Sequence, residues 1–116
     1  MAKVNPQILD EFVEFSGGMP SCTTFFRVKL PKPWLGFYCK WFILLDHEAD
    51  WDTLCHELYH SLQHDNDWLF PFKYSFEYLK HGYEKNKYEI EAKEFEKKML
   101  IFSWLRTTEK MKLDDK

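Results

Sequence analysis

The string His56-Glu57-Leu58-Tyr59-His60 sets two imidazoles four positions apart, with a carboxylate directly after the first. On an α-helix four residues advance about 400°, so the rings stand roughly 40° apart on one face, where both can reach a single tetrahedral metal ion. Glu57 sits one position round the helix. From there its carboxylate can act on a water molecule without taking a coordination position, which suits a general base in zinc-assisted hydrolysis. The expectation is one zinc ion per chain, held by His56 and His60, with Glu57 as the catalytic base. Placement on a helix lowers the risk that the string arises by chance; the alternative is two surface histidines that happen to be four apart on a solvated face.

Two imidazoles leave a catalytic zinc one protein ligand short, and the third is commonly a carboxylate or histidine further along. The segment from Asn86 to Lys93 offers Glu89 and Glu91 on the first turn of the last predicted helix. Helical phase does not choose between them, because they flank opposite sides of that helix's apolar centre. Glu89 also has capping-box spacing from Asn86, which would be a purely structural role. His64 lies eight positions after His56, where the metal helix should be ending, and reads as solvent-exposed. His81 and Tyr83 follow the third helix, where a hydrogen-bond donor would stabilise an oxyanion; Tyr83 is preferred, against the alternative of packing beside Tyr88. Cys55 reads as a small buried hydrophobe and His47 as a loop residue.

The elements that must position these groups follow from hydrophobic period. Ile8, Leu9, Phe12, Val13 and Phe15 have helical spacing, with Asn5 as N-cap, Pro6 at the first helical position and an end near Gly17-Gly18. Two β-rich runs come next, Cys22 to Leu30 and Phe37 to Leu45, separated by Pro31-Lys32-Pro33 and Gly36, and expected as adjacent antiparallel strands. From Asp50 the period changes: Trp51, Leu54, Cys55, Leu58 and Leu62 make an apolar stripe, so the motif falls within a helix whose other side meets the core. Asp65-Asn66-Asp67 breaks it. A third helix is predicted from about Pro71 to Leu79, closed by Gly82, and the aromatics from Trp68 to Tyr78 are expected by default to fill the space between helices. The last helix starts after Asn86, with Tyr88, Ala92, Phe95, Met99 and Phe102 on one arc. The fold class is α+β: a small antiparallel-rich sheet packed with about four helices in a single domain over residues 1–116.

Apolar residues make up 45% of the chain and aromatics 19%, enough material for a packed core. Sixteen basic residues against 19 acidic ones leave a net charge of -3, which gives no general pull toward nucleic acid or anionic lipid. No apolar run is long enough to span a bilayer, and three cysteines without a dense regular spacing fit a reducing, cytoplasmic setting.

From Phe37 to Phe95 the chain resembles the gluzincin-type zinc metallopeptidases, especially their small single-domain representatives, the minigluzincins. The resemblance rests on His56 to Gln63, on Trp68-Leu69-Phe70 to Tyr78-Leu79, on Gly82-Tyr83 and on Glu89-Ile90-Glu91-Ala92. It implies a minimal zincin-like scaffold and hydrolysis of a peptide or protein substrate. Through the family's Glu-x-Glu-Ala pattern it implies Glu89 as the third metal ligand. The family's common Asn-Pro before that glutamate stands here as Asn86-Lys87, which removes a rigid helix start and touches no ligand. It also implies that the strand before the metal helix, matched by Phe37 to Leu45, pairs with substrate backbone. Resemblance to latent members of the family permits a site covered by the tail from Thr107 to Lys116; self-association into a homo-oligomer would hide it equally well. The alternative is a zinc-stabilised binding or regulatory protein whose motif is catalytically silent.

Overall fold

The computed structural model describes residues 2–106 and the side chains of residues 3–101. Strand β1 (Ala2–Lys3) leads into α1 (Pro6–Ser16), which starts as its sequence requires: the Asn5 side chain accepts from the Gln7 N–H at 2.9 Å, and Pro6 occupies the first turn. The helix ends where Gly17 takes a left-handed φ of 81° and its N–H bonds to Val13 O at 2.8 Å. Ile8 and Phe12 of α1 are buried.

Strands β2 (Thr24–Arg27), β3 (Gly36–Tyr38) and β4 (Ile43–Leu45) complete a sheet of order β1-β2-β4-β3 among the described residues. The run from Phe37 to Leu45 is not one strand. Cys39 and Phe42 exchange backbone hydrogen bonds of 2.9 and 3.3 Å, turning the chain back on itself with Trp41 76% exposed at the reversal. Because that hairpin reverses the direction of β4, β4 lies parallel to β2, with Phe25 opposite Ile43 and Arg27 opposite Leu45. The two β-rich runs are thus neighbours, as expected, but parallel. Antiparallel pairing holds for β1 with β2 and for β3 with β4, so the sheet is mixed and β3 forms one edge.

Helix α2 (Trp51–Asn66) carries the motif. Its N-cap, Asp50, makes no side-chain capping bond, and the turn before it is held by side chains instead. Arg27 Nη1 donates to the carbonyls of Asp46 (2.8 Å) and Ala49 (2.7 Å), while the Asp46 carboxylate accepts from the N–H groups of Leu30 and Glu48. Ser21 ties the other end through Asp65, by backbone N–H at 2.8 Å and hydroxyl at 2.6 Å. Between these clamps Leu54, Cys55 and Leu58 pack into a core with Val4, Ile8, Phe12, Phe25, Ile43 and Leu45. Each fully buried leucine there stabilises by about 1.5–3 kcal/mol through loss of apolar surface from water.

Helices α3 (Phe70–His81) and α4 (Lys87–Arg106) follow. Ala92, Phe95 and Met99 of α4 are buried; Phe95 stacks on Tyr59 of α2 at 4.5 Å and meets Phe12 of α1 edge-on at 5.1 Å. The expectation that the aromatics from Trp68 to Tyr78 fill the core is met fully by Phe70 alone: Trp68, Phe72 and Phe76 are between 62% and 77% exposed. Apolar residues surround α3, and only one side can face inward; that side is Phe70, with Tyr74 beside it. The side chain of Phe102 and the tail from Thr107 to Lys116 lie outside the described residues. Among those described, no helix is long and apolar enough to cross a membrane.

Candidate metal centre

Helix α2 is buried on two sides, because α4 covers the face that carries His56 and His60. Packing of Phe95 and Met99 sets the roll of α4, and at that roll Glu89 turns toward α2 while Glu91 is exposed. Glu89 Oε1 lies 2.8 Å from His56 Nε2 and 3.1 Å from His60 Nε2. One ligand atom from each of the three side chains falls within 4.8 Å of the others, so this buried group could hold a metal ion. Two neutral-imidazole nitrogens and one carboxylate oxygen form a donor set suited to a divalent cation of intermediate hardness.

The opposite ring nitrogens are also engaged. His56 Nδ1 donates to Glu96 Oε1 at 2.8 Å, and His60 Nδ1 donates to Gln63 Oε1 at 2.8 Å. Neither acceptor can give a proton in return, so Nδ1 carries hydrogen in both rings and Nε2 is the atom aimed at Glu89. Such outer partners fix both the tautomer and the ring orientation of a metal-binding histidine.

Burial alone would pull the His56 imidazole down, but hydrogen bonds to Glu89 and Glu96 outweigh it and push it up to about 10. His60 moves the same way: burial opposes the cation, and the bond to Glu89 prevails. Burial also disfavours an ionised Glu89, yet His56 and His60 hold its carboxyl well below the usual range. The two imidazoles therefore place positive charge against a carboxylate, the arrangement a bound cation would take over.

Glu57 is buried next to this group, and burial raises its carboxyl, opposed by the His60 and His56 charges. Strand β3 lies directly against it. A Cβ added at Gly36 would fall 3.0 Å from Glu57 Cγ, 3.0 Å from its Oε2 and 3.0 Å from Thr53 Cγ2, so the lack of a side chain there is what lets the strand approach.

Asn86 caps α4 by accepting from the Tyr88 N–H at 2.9 Å. The other half of a capping box is missing, because the Glu89 side chain is directed to the histidines and to Tyr74, whose hydroxyl donates to Glu89 Oε2. Tyr74, Glu96 and Gln63 were not singled out by the sequence. Glu96 follows Glu89 by two helical turns and so shares its face, and Gln63 follows His60 by three residues; those spacings are the available signals. Tyr83 is 39% exposed, with its phenol raised by burial first and by the charges of Glu89, Glu57 and Glu96 after it. His64 stands apart, hydrogen-bonded to the Tyr38 hydroxyl at 3.0 Å, and His81 is exposed. Cys55 is fully buried, as expected, and burial raises its thiol.

Comparison of the chain with protein-family models, with curated proteins and with solved structures found no match.

Proposed function

We propose that this chain is a zinc metallopeptidase of the gluzincin type, with His56, His60 and Glu89 as ligands. The observation that carries this reading is the convergence of His56 Nε2, His60 Nε2 and a Glu89 carboxylate oxygen beside a buried Glu57 that belongs to neither outer-partner pair. When bound, zinc would acidify a water molecule and polarise the scissile carbonyl. With zinc bound, Glu57 would accept a proton from that water and pass it to the leaving amine. Strand β3 ends the sheet next to Glu57, so an extended peptide added along that edge would bring its backbone to the base. Tyr83 is the proposed oxyanion donor, since its half-exposed phenol lies near enough to Glu89 and Glu57 to feel their charges. The three unpaired cysteines support a reducing, cytoplasmic setting.

A second reading is favoured by burial. His56 and Glu57 are each 6% exposed and His60 and Glu89 each 4%, so a substrate carbonyl reaches them only after covering groups move. A latent peptidase, or a zinc-stabilised binding protein, fits that closure. The deciding experiment is cleavage of a fluorogenic peptide library by zinc-loaded protein and by Glu57→Gln. Zinc-dependent turnover, lost in the variant while zinc stays bound, is the expected result. Stoichiometric zinc with no cleavage of any library member supports the second reading, and failure to take up zinc refutes both.

A further inference from the structure

Gln63 is bonded through both the oxygen and the nitrogen of its amide between the two helices that form the centre. Its Oε1 accepts from His60 Nδ1 at 2.8 Å, while Nε2 donates to the backbone carbonyl of Tyr88 at 3.1 Å and lies 3.4 Å from Glu91 Oε1. The two acceptors on α4 require the NH2 end there, so the amide orientation is fixed by its partners. Tyr88 immediately precedes Glu89. One half-buried side chain thus contacts the second histidine on one side and, on the other, the residue adjoining the carboxylate that faces it.

We infer that Gln63 is a positioning residue: it holds His60 in the tautomer that presents Nε2 to the metal and fixes the register of α2 against the first turn of α4. The inference rests on the proposed metal role of His56, His60 and Glu89. A purely local helix contact would need only the acceptor. The donor arm reaching α4 is what links the spacing of His60 and Glu89 to one side chain, because α4 carries its ligand on a turn whose backbone Gln63 grips.

Three proteins test this: the full chain, Gln63→Met, which keeps the length and loses both arms, and Gln63→Glu, which keeps an acceptor for His60. Zinc affinity is read by competition with a chromophoric chelator, and the His60 tautomer by long-range proton–nitrogen NMR of the metal-free protein at alkaline pH, where the imidazole is neutral. Gln63→Met should bind zinc ~10–100-fold more weakly, the usual consequence of losing an outer partner of a ligand. Its His60 should populate the Nε2–H tautomer. Gln63→Glu should keep the Nδ1–H tautomer and bind zinc more tightly than Gln63→Met. Unchanged affinity or an unchanged tautomer in Gln63→Met would overturn the inference while leaving the metal reading intact; a full chain that takes up no zinc overturns both. If Gln63→Met does not fold, the Gln63→Glu spectrum decides: retention of Nδ1–H supports the role and a switch to Nε2–H refutes it.

Discussion

His56 Nδ1 and Glu96 Oε1 lie 2.8 Å apart, and the same ring meets Glu89 through its other nitrogen at 2.8 Å, so one imidazole is strung between two carboxylates of a single helix face. Seven residues of α-helix rise about 10.5 Å, enough to place one carboxylate at each end of the ring. If zinc binds as proposed, Glu96 tunes its affinity without being a ligand. Glu96→Ala should weaken zinc binding ~10–100-fold, with Glu96→Gln intermediate because it keeps an acceptor oxygen. Chelator competition measures both, and equal affinities in all three proteins would show that Nδ1 needs no partner.

Glu89 and Glu91 differ in what their loss removes. Glu89→Ala should release the metal, since it deletes the oxygen that faces both Nε2 atoms. Glu91→Ala should retain it and change stability by no more than ~0.5 kcal/mol, as expected of an exposed side chain. Native mass spectrometry of the two variants reads the outcome directly; zinc kept by the first and lost by the second would place the ligand on the opposite side of α4.

At Gly36 the constraint is space and not backbone conformation, since its φ is not positive. Gly36→Val should press on Glu57 and Thr53, costing about 1–3 kcal/mol by overpacking; if the proposed function holds, turnover should fall while zinc affinity stays near that of the unaltered protein. Thermal unfolding, zinc titration and peptide cleavage on one preparation separate these effects. A fully active, equally stable variant would mean that β3 does not bear on the base.

Asp46 supplies a pH test away from the centre. Backbone N–H groups of Leu30 and Glu48 hold its carboxyl below the ordinary range, so its folded value lies under its unfolded one. Its stabilisation is therefore complete above the unfolded value of about 3.9 and is lost as pH falls through the folded value. Asp46→Ala should be less stable than the parent at neutral pH, and the gap should narrow as the pH drops below about 4. Urea midpoints across that range check it; a gap that does not change with pH would remove the carboxylate from the account.

The motif was legible because His56, Glu57 and His60 sit in a segment whose leucines already show helical period, and that period survives folding. Which glutamate joins the two histidines was not legible from period. Glu89 and Glu91 are distinguished only by the roll of α4, which Phe95 sets through contacts with Phe12 and Tyr59, residues far away in sequence. The hairpin at Cys39-Lys40-Trp41-Phe42 was missed for a local reason: it contains no glycine, proline, asparagine or aspartate to announce a reversal. Tyr74 was missed because it acts across a helix pair, where no one-dimensional spacing reports the contact.

Helix α3 divides into halves that can be altered independently. Tyr74 points inward to Glu89, so a change there alters the electrostatics of the centre, while Phe72, Phe76 and Leu79 project the other way into solvent. Serine or lysine at those outer positions removes greasy surface without touching a hydrogen bond of the centre. The helix thus offers a route to a better-behaved protein in concentrated solution, with the chemistry of His56, His60 and Glu89 left as it was.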